Sequence, residues 1–347
     1  MRFASARRLA LASLFTLAVV PADAADPGEV NVYSYRQPIL IQPLLDRFTQ
    51  ETGIKVNVIF AEKGLIERIE AEGRNSPADV LLTVDVGNLT QATASGIAQA
   101  IHSPTLDAAI PQAYRAEDDQ WFGLTRRARV VYASKERVKQ DAITYEELAD
   151  PKWRGKICIR SGQHPYNVAL IASMIANHGE AWTEEWLKGV KANLARKPAG
   201  DDRLQVKGIY AGECDIAVAN TYYMGVMLKN DKEPEQKAWA ESVRILFPNT
   251  DERGTHINVS GAVVAKYAPH KDNAVKLVEF LASDEGQQIY AEANNEYPVK
   301  DGIPWSPLVK SWGDFKPDPI SLTDIAALRK AASEMVDKVE FDEGPSS

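Results

Sequence analysis

Residues 30–33, Val-Asn-Val-Tyr, alternate apolar and polar side chains, a period that predicts a short β-strand. Residues 38–53 begin with proline, carry leucines and a phenylalanine at helical spacing, and end on glycine, which predicts a helix. Residues 54–60 alternate again, residues 65–71 predict a second helix, and residues 78–84 form the nearly continuous apolar run of a buried strand. This order implies a parallel sheet with helices on both faces.

The same order of elements returns after residue 150. Residues 156–159 predict a strand, and the apolar stripe at 168–176 predicts a helix that ends near a glycine. Thr183 is expected to cap a further helix through Val190. The apolar run at 215–219 predicts another buried strand. We therefore expect two α/β units, each with its own core, as the chain length also favours.

One strand-like segment lies between these units, at residues 121–132, and a second follows the second unit, at residues 257–265. We interpret them as an outward and a return crossover between two lobes. A chain that crosses twice makes a hinge from paired segments. The expected lobes are an N-terminal one at 28–125 plus 256–305 and a C-terminal one at 126–255 plus 306–347.

The start of the chain predicts export. Arginines are followed by an apolar run at residues 9–20 and by small residues at 22–24, the order of a secretory signal peptide at residues 1–24. An uncleaved N-terminal helix is the alternative. Without these 24 residues, which hold three arginines and one aspartate, the net charge changes from −8 to −10. We expect a protein of the periplasm that binds no nucleic acid.

Cys158 and Cys214 are the only two cysteines. In an oxidising compartment they can form one disulfide, and the alternative is two buried free thiols. Each lies in or next to a predicted strand of the second unit, so we predict that they are bridged.

The sequence offers no catalytic constellation. It contains neither a Gly-x-Ser-x-Gly nucleophile motif nor a Walker A phosphate loop, and no glycine fingerprint follows the first strand. The five histidines are scattered, and adjacent glutamates fall on predicted amphipathic helices, where a solvated face explains them. We expect a protein that is not an enzyme, with a secreted hydrolase as the remaining alternative.

Three tyrosines stand at one predicted sheet edge. Tyr222 and Tyr223 follow the buried strand at 215–219, and Tyr166 follows the strand at 156–159. Open α/β sheets bind ligands at the carboxyl ends of their strands, although packing alone would explain each tyrosine singly. Ferric ion is a hard acid that prefers anionic oxygen, and a bound metal displaces the phenol proton. Three tyrosinates would neutralise Fe³⁺.

At this point the chain resembles the periplasmic ferric-binding proteins, also called bacterial transferrins, from about residue 30 to residue 298. The motifs that carry the resemblance are VYSYRQ at 32–37, ETGIKV at 51–56, SPADV at 76–80, RARVV at 127–131 and NTYY at 220–223. ETGIKV and SPADV are widespread in related binding proteins, whereas NTYY is the specific motif.

The resemblance implies a two-domain α/β periplasmic-binding-protein fold of type II, with the ligand in the interdomain cleft. It implies metal ligation by the tyrosine pair of the NTYY motif and by Tyr166. Gln37 stands where other branches place a histidine, and Val84 where some members have an acidic ligand. A tyrosine-only site of this kind needs water or a small anion such as carbonate.

The anion would be held by Arg36 and Arg127, since a guanidinium can bind carbonate through two donors. Surface or hinge arginines are the alternative interpretation. Tyr35 and Gln37, which flank Arg36, complete the expected surroundings of the anion.

The function that follows is that of an extracytoplasmic solute-binding protein. It would bind Fe(III), close around it, and deliver it as a monomer to the membrane permease of an ABC importer. The same fold binding an oxyanion, a polyamine or a sugar phosphate remains the nearest alternative.

Overall fold

The computed structural model describes residues 28–345, so the predicted signal peptide at 1–24 lies outside the described residues. Within that range, no helix has both the length and the apolar content needed to cross a membrane. The strands are β1 Glu29–Ser34, β2 Lys55–Phe60, β3 Val80–Thr83, β4 Phe122–Ser134, β5 Ile157–Cys158, β6 Ile216–Asn220, β7 Val243–Leu246, β8 Ile257–Val264 and β9 Tyr297–Pro298. The helices are α1 Pro38–Thr52, α2 Leu65–Glu72, α3 Val86–Ala94, α4 Pro104–Ala109, α5 Pro165–His178, α6 Glu180–Ala192, α7 Asp202–Tyr210, α8 Tyr222–Leu228, α9 Glu235–Glu241, α10 Lys271–Ala282, α11 Asp284–Ala293, α12 Pro307–Lys310, α13 Leu322–Ala327 and α14 Arg329–Lys338.

The first half of the sheet contains the predicted parallel core. β1 pairs in parallel with both β2 and β3. The expectation of an entirely parallel sheet is wrong beyond β3, because β8 pairs with β3 in the antiparallel direction. The chain passes from β7 in the second half to β8 without a helix between them. It therefore has no crossover helix of the kind that would bring β8 back parallel to β3.

β4 joins the two halves. This 13-residue strand pairs through residues 122–128 with β8 and through residues 129–133 with β6, both antiparallel. The strand order β2-β1-β3-β8-β4-β6-β5 therefore runs through both halves. The two segments predicted as crossovers are adjacent strands.

Each half of the sheet is packed on both faces. In β4, Val131 and Ala133 face one hydrophobic cluster while Val130 and Tyr132 face another, as the alternation of a strand dictates. Separate clusters cover the two faces of the first half. The two-unit prediction is confirmed in this sense, that each unit has its own buried core.

Three local expectations for the second half are wrong. Helix α5 begins at Pro165, so Tyr166 lies in its first turn rather than in the loop before it. Helix α6 begins at Glu180, and Thr183 lies inside it, donating to the carbonyl oxygen of Gly179 at 2.9 Å. The sequence of the tail predicts one helix at about residues 325–339, but after residue 306 the described chain forms α12, α13 and α14.

Candidate metal site

The three predicted tyrosines come together because their strands are neighbours. β5 and β6 pair in parallel, so the chain leaves both strands at the same edge of the sheet. Tyr222 and Tyr223 open helix α8 directly after β6, and Tyr166 lies in the first turn of α5. The three rings form a small cluster of their own, against which Val84 of the first half packs.

The geometry brings phenol oxygens together. The hydroxyl oxygens of Tyr166 and Tyr222 lie 3.4 Å apart, and the rings of Tyr222 and Tyr223 stack at 4.3 Å with an interplanar angle of 27°. With metal–oxygen bonds of about 2 Å, neighbouring ligand oxygens lie about 3 Å apart, close to this spacing. Small adjustments of the side chains would place one ion between them.

Burial keeps the phenols of Tyr222 and Tyr223 protonated when no metal is bound. The three side chains are 6–9% exposed. Burial raises the pKa of Tyr222 well above its ordinary value, and the neighbouring Tyr166 and Tyr223 raise it further. Burial likewise raises the pKa of Tyr223, with Tyr166 contributing next. A metal ion at this position would have to displace protons.

Guanidinium groups surround the ring of Tyr166. Their carbon atoms lie 5.2 Å from the ring centre for Arg127, 5.4 Å for Arg160 and 5.9 Å for Arg129. Arg129 and Arg160 share the buried carboxylate of Asp202, at 2.6 and 3.3 Å. Within residues 28–345, Arg127 has no carboxylate partner, and its Nε and Nη2 atoms have no hydrogen-bond partner. Its charge is therefore available to an anion.

Arg36 reaches the same region from the first half. Its Nη2 atom lies 2.8 Å from a carboxylate oxygen of Glu296, and both side chains are buried. Its Nη1 atom donates to the hydroxyl of Ser260, which also accepts from Nη1 of Arg127 at 2.7 Å. The two predicted arginines are thus linked through one serine.

Tyr35 and Gln37, also expected near the anion, lie outside the tyrosine cluster. The hydroxyl of Tyr35 accepts from the backbone N–H groups of Leu65 and Ile66, at 2.8 and 2.9 Å, and so caps helix α2. Gln37 is exposed just before α1, without a side-chain hydrogen bond to the helix end. The structure does not bring either side chain into the tyrosine cluster.

Comparisons with known proteins fit this architecture. Residues 33–288 match the model of the bacterial extracellular solute-binding protein family. The chain belongs to that family. It is 46% identical over 317 residues to iron uptake protein A1 of Synechocystis sp., covering 90% of this chain and 88% of that protein.

Solved structures resemble this solute-binding protein over nearly their whole length. The apo ferric ion-binding protein A of Pasteurella haemolytica is 53% identical, with a TM-score of 0.87, over 90% of this chain and 98% of that one. A Trichodesmium protein in complex with iron and citrate ligands is 46% identical, with a TM-score of 0.85, over 90% and 100% of the two chains. The predicted periplasmic-binding-protein fold is confirmed.

The solute-binding protein also holds functional candidates that the sequence did not reveal. Ser260 and Glu296 contact Arg36 from 224 and 260 residues away, and no local pattern marks such pairs. His164 stands two residues before Tyr166; its Nδ1 atom accepts from the Tyr166 backbone N–H at 3.2 Å. Burial, together with Arg160, Arg129 and Arg127, lowers the pKa of His164 to about 2, so this ring stays neutral.

A disulfide joins the strands behind the site. Cys158 ends β5, Cys214 stands two residues before β6, and the two sulfur atoms are bonded. Helix α7 passes close by, because a Cβ atom at Gly208 would lie 2.9 Å from the sulfur of Cys158. The covalent link therefore ties together the two strands that lead to Tyr166 and Tyr222.

Proposed function

We propose that this solute-binding protein captures ferric iron through the phenolate oxygens of Tyr166, Tyr222 and Tyr223. The observation that carries the proposal is the convergence of three buried phenols, two of them with oxygens 3.4 Å apart. Three tyrosinates balance the charge of Fe³⁺, and hard anionic oxygen is the donor that this ion prefers. The relatives named for iron uptake and ferric ion binding support the same ligand.

The proposed site includes a small anion, with carbonate as the candidate. Arg36 pairs with Glu296, Arg129 and Arg160 share Asp202, and Arg127 has no carboxylate partner among the described residues. Four arginines and two carboxylates leave two positive charges near the tyrosines. Buried charges need partners. A carbonate held by Arg127, with Arg36 beside it, would supply the missing negative charge and fill metal positions that three tyrosines leave open.

The proposed lobes keep the boundaries 28–125 plus 256–305 and 126–255 plus 306–347. The packing of α14 against α5 supports placing the last segment with the second lobe. Iron would bind to the tyrosines of the second lobe, and closure would bring Val84 and Arg36 of the first lobe over it. The hinge would be the adjacent strands β4 and β8.

The family consists of extracellular solute-binding proteins, and the location of this member in the periplasm is part of the proposal. We propose a monomer of the periplasm that is released from its signal peptide at residue 24. It would hand iron to the membrane permease of an ABC importer, and it would catalyse no reaction.

The test is metal analysis and visible spectroscopy of protein purified from its native compartment. We expect one iron per chain and a phenolate-to-iron charge-transfer band that disappears on reduction or chelation. Colourless, iron-free protein that instead carries a phosphonate, a sugar phosphate or a polyamine would contradict the proposal. A phosphonate is a specific rival, because a putative 2-aminoethylphosphonate-binding protein of Salmonella typhimurium is 26% identical and covers 85% of this chain and 86% of that protein.

A further inference from the structure

A buried carboxylate pairs with Arg36, one of the two arginines that share Ser260. Glu296 is 1% exposed and accepts from both terminal nitrogens of Arg36, at 2.8 Å from Nη2 and 3.2 Å from Nη1. These are the donors that a guanidinium would use to grip an anion with two hydrogen bonds. Within the described residues, only Nε of Arg36 is left without a partner.

Arg127, unlike Arg36, has no carboxylate partner among the described residues. Its Nη1 atom donates to Ser260, while Nε and Nη2 are buried without partners in residues 28–345. These two nitrogens lie on one edge of the planar group, so they form a free two-donor fork. A fork of this kind matches the oxygen spacing of a carboxylate or carbonate.

Ser260 connects the two arginines. Its oxygen accepts from Nη1 of Arg36 and from Nη1 of Arg127. In the described part of the chain its own proton has no acceptor. A hydroxyl has one proton to donate, so Ser260 keeps one donor besides the two hydrogen bonds that it accepts.

We propose that Glu296 is a specificity-determining residue for the anion that accompanies iron. By taking up the charge of Arg36, Glu296 leaves Arg127 as the member of this serine-linked pair with a free fork, and its negative charge is connected to Arg127 through Arg36 and Ser260. The site then accepts a small anion such as carbonate and disfavours a larger one with several carboxylates, such as citrate. This inference rests on the proposed function and names a residue whose role that function leaves open.

The experiment compares labelled bicarbonate with labelled citrate, each retained per iron on iron-loaded protein, for the parent and for Glu296→Gln. Glutamine keeps the shape of the side chain and removes its charge, so Arg36 becomes available to a second carboxylate. We expect the citrate-to-bicarbonate affinity ratio to rise at least about tenfold in this variant. Glu292→Gln is the matched control, because Glu292 is exposed and its loss changes the net charge equally; its ratio should equal that of the parent.

A second variant covers the case in which Arg36, left unpaired, prevents folding. Arg36→Met with Glu296→Met removes both charges, and such buried pairs can be replaced by apolar side chains of similar volume. Overall anion affinity should fall because Arg36 lies beside the proposed anion, but the citrate-to-bicarbonate ratio should not rise above the parent value, since no second guanidinium becomes free.

Two results would overturn the inference: an unchanged ratio in Glu296→Gln, or a shift toward citrate in the double variant as large as tenfold. Both are read on protein that shows the phenolate band. Absence of that band in the parent would instead refute the proposed ferric function.

Discussion

Gly225 lies directly against the side chain of Asn295, so that a Cβ atom at residue 225 would fall 2.3 Å from Asn295 Cγ. Asn295 holds a left-handed backbone conformation, with φ of 57°. Lys229, directly after the end of α8, donates to Asn295 Oδ1 and to the carbonyl oxygen of Glu292, both at 2.8 Å. The helix that carries the tyrosine pair is thereby docked on the segment that carries Glu296.

Gly225→Val should hinder this docking, because a branched side chain at residue 225 has no room beside Asn295. We expect iron to bind with a normal band, since the tyrosines remain, but with less compaction of the protein. Small-angle X-ray scattering with and without iron measures the change in radius of gyration. Ala181→Val, on the exposed surface of α6, is the control. Compaction equal to that of the parent would show that the contact is dispensable.

Replacing Tyr166, Tyr222 or Tyr223 by Phe should lower iron affinity by about a hundredfold or more, because one anionic ligand is lost while the ring remains. The free energy of unfolding of the iron-free protein should change by only about 1 kcal/mol. Iron titration followed by the visible band, with thermal unfolding alongside, measures both. Tyr297→Phe is a matched control, because Tyr297 is buried and its hydroxyl has no partner among the described residues. Full iron binding by the Tyr222 and Tyr223 variants would refute the site.

Iron affinity should fall steeply on acidification. Burial first, then neighbouring tyrosines, raise the pKa of Tyr222, so its proton leaves only when metal binds and returns as the pH drops. If iron displaces one proton from each of the three phenols, each pH unit lowers affinity by up to about a thousandfold. Competition with a chelator of known affinity between pH 8 and pH 5 measures this slope. A flat profile would be incompatible with tyrosinate ligands.

The iron-free protein should lose stability in acid through His256. Burial, with Arg253, Arg129 and Arg127, lowers the pKa of His256 to about 3. In the unfolded chain its pKa is about 6.5, so protonation favours unfolding, and the loss begins below pH 6.5 and grows toward pH 3. We expect about 2 kcal/mol to be lost by pH 5 from this residue.

His256→Phe should abolish that part of the acid loss. Urea unfolding of the iron-free protein from pH 8 to pH 5 measures it, with the exposed His102→Gln as control. Parallel pH profiles for the parent and His256→Phe would exclude a contribution from His256.

The disulfide should stabilise the site as well as the fold. Removing both cysteines, with Cys158→Ala and Cys214→Ala, should cost about 2–4 kcal/mol of unfolding free energy, because the bond closes a long loop. Iron affinity should fall too, since the strands leading to Tyr166 and Tyr222 are no longer linked. Thiol titration of the parent under denaturing, non-reducing conditions should find no free thiol. Two free thiols per chain would contradict the bond.

Local patterns in the sequence were enough to predict much of the fold and the tyrosine cluster. The apolar run of β6 placed Tyr222 and Tyr223 at the end of a buried strand, and the neighbouring strand placed Tyr166 at the same edge. Pairing of β5 with β6 is what such strands do in a parallel sheet, so the convergence could be anticipated.

The surroundings of the tyrosines could not be predicted in the same way. Arg36 was identified as a candidate anion ligand, but its partner Glu296 lies 260 residues away in a loop without a recognisable motif. The start of α5 at Pro165 was missed because the apolar stripe becomes regular only at Val168, whereas a proline is favoured in the first turn of a helix. Contacts distant in sequence and helix ends both depend on tertiary structure.

The placement of all three tyrosines on α5 and α8, on the same side of the hinge strands, has a consequence for unloading. Moving the lobes apart breaks none of the three proposed iron–oxygen bonds; it only admits solvent and takes Arg36 away from the anion. A transporter that does no more than pull the protein open would therefore receive a chain still carrying its metal. Unloading would then be limited by how fast protons return to the phenolates or by how fast a competing chelator enters, and its rate would depend on the chemistry of the surrounding medium.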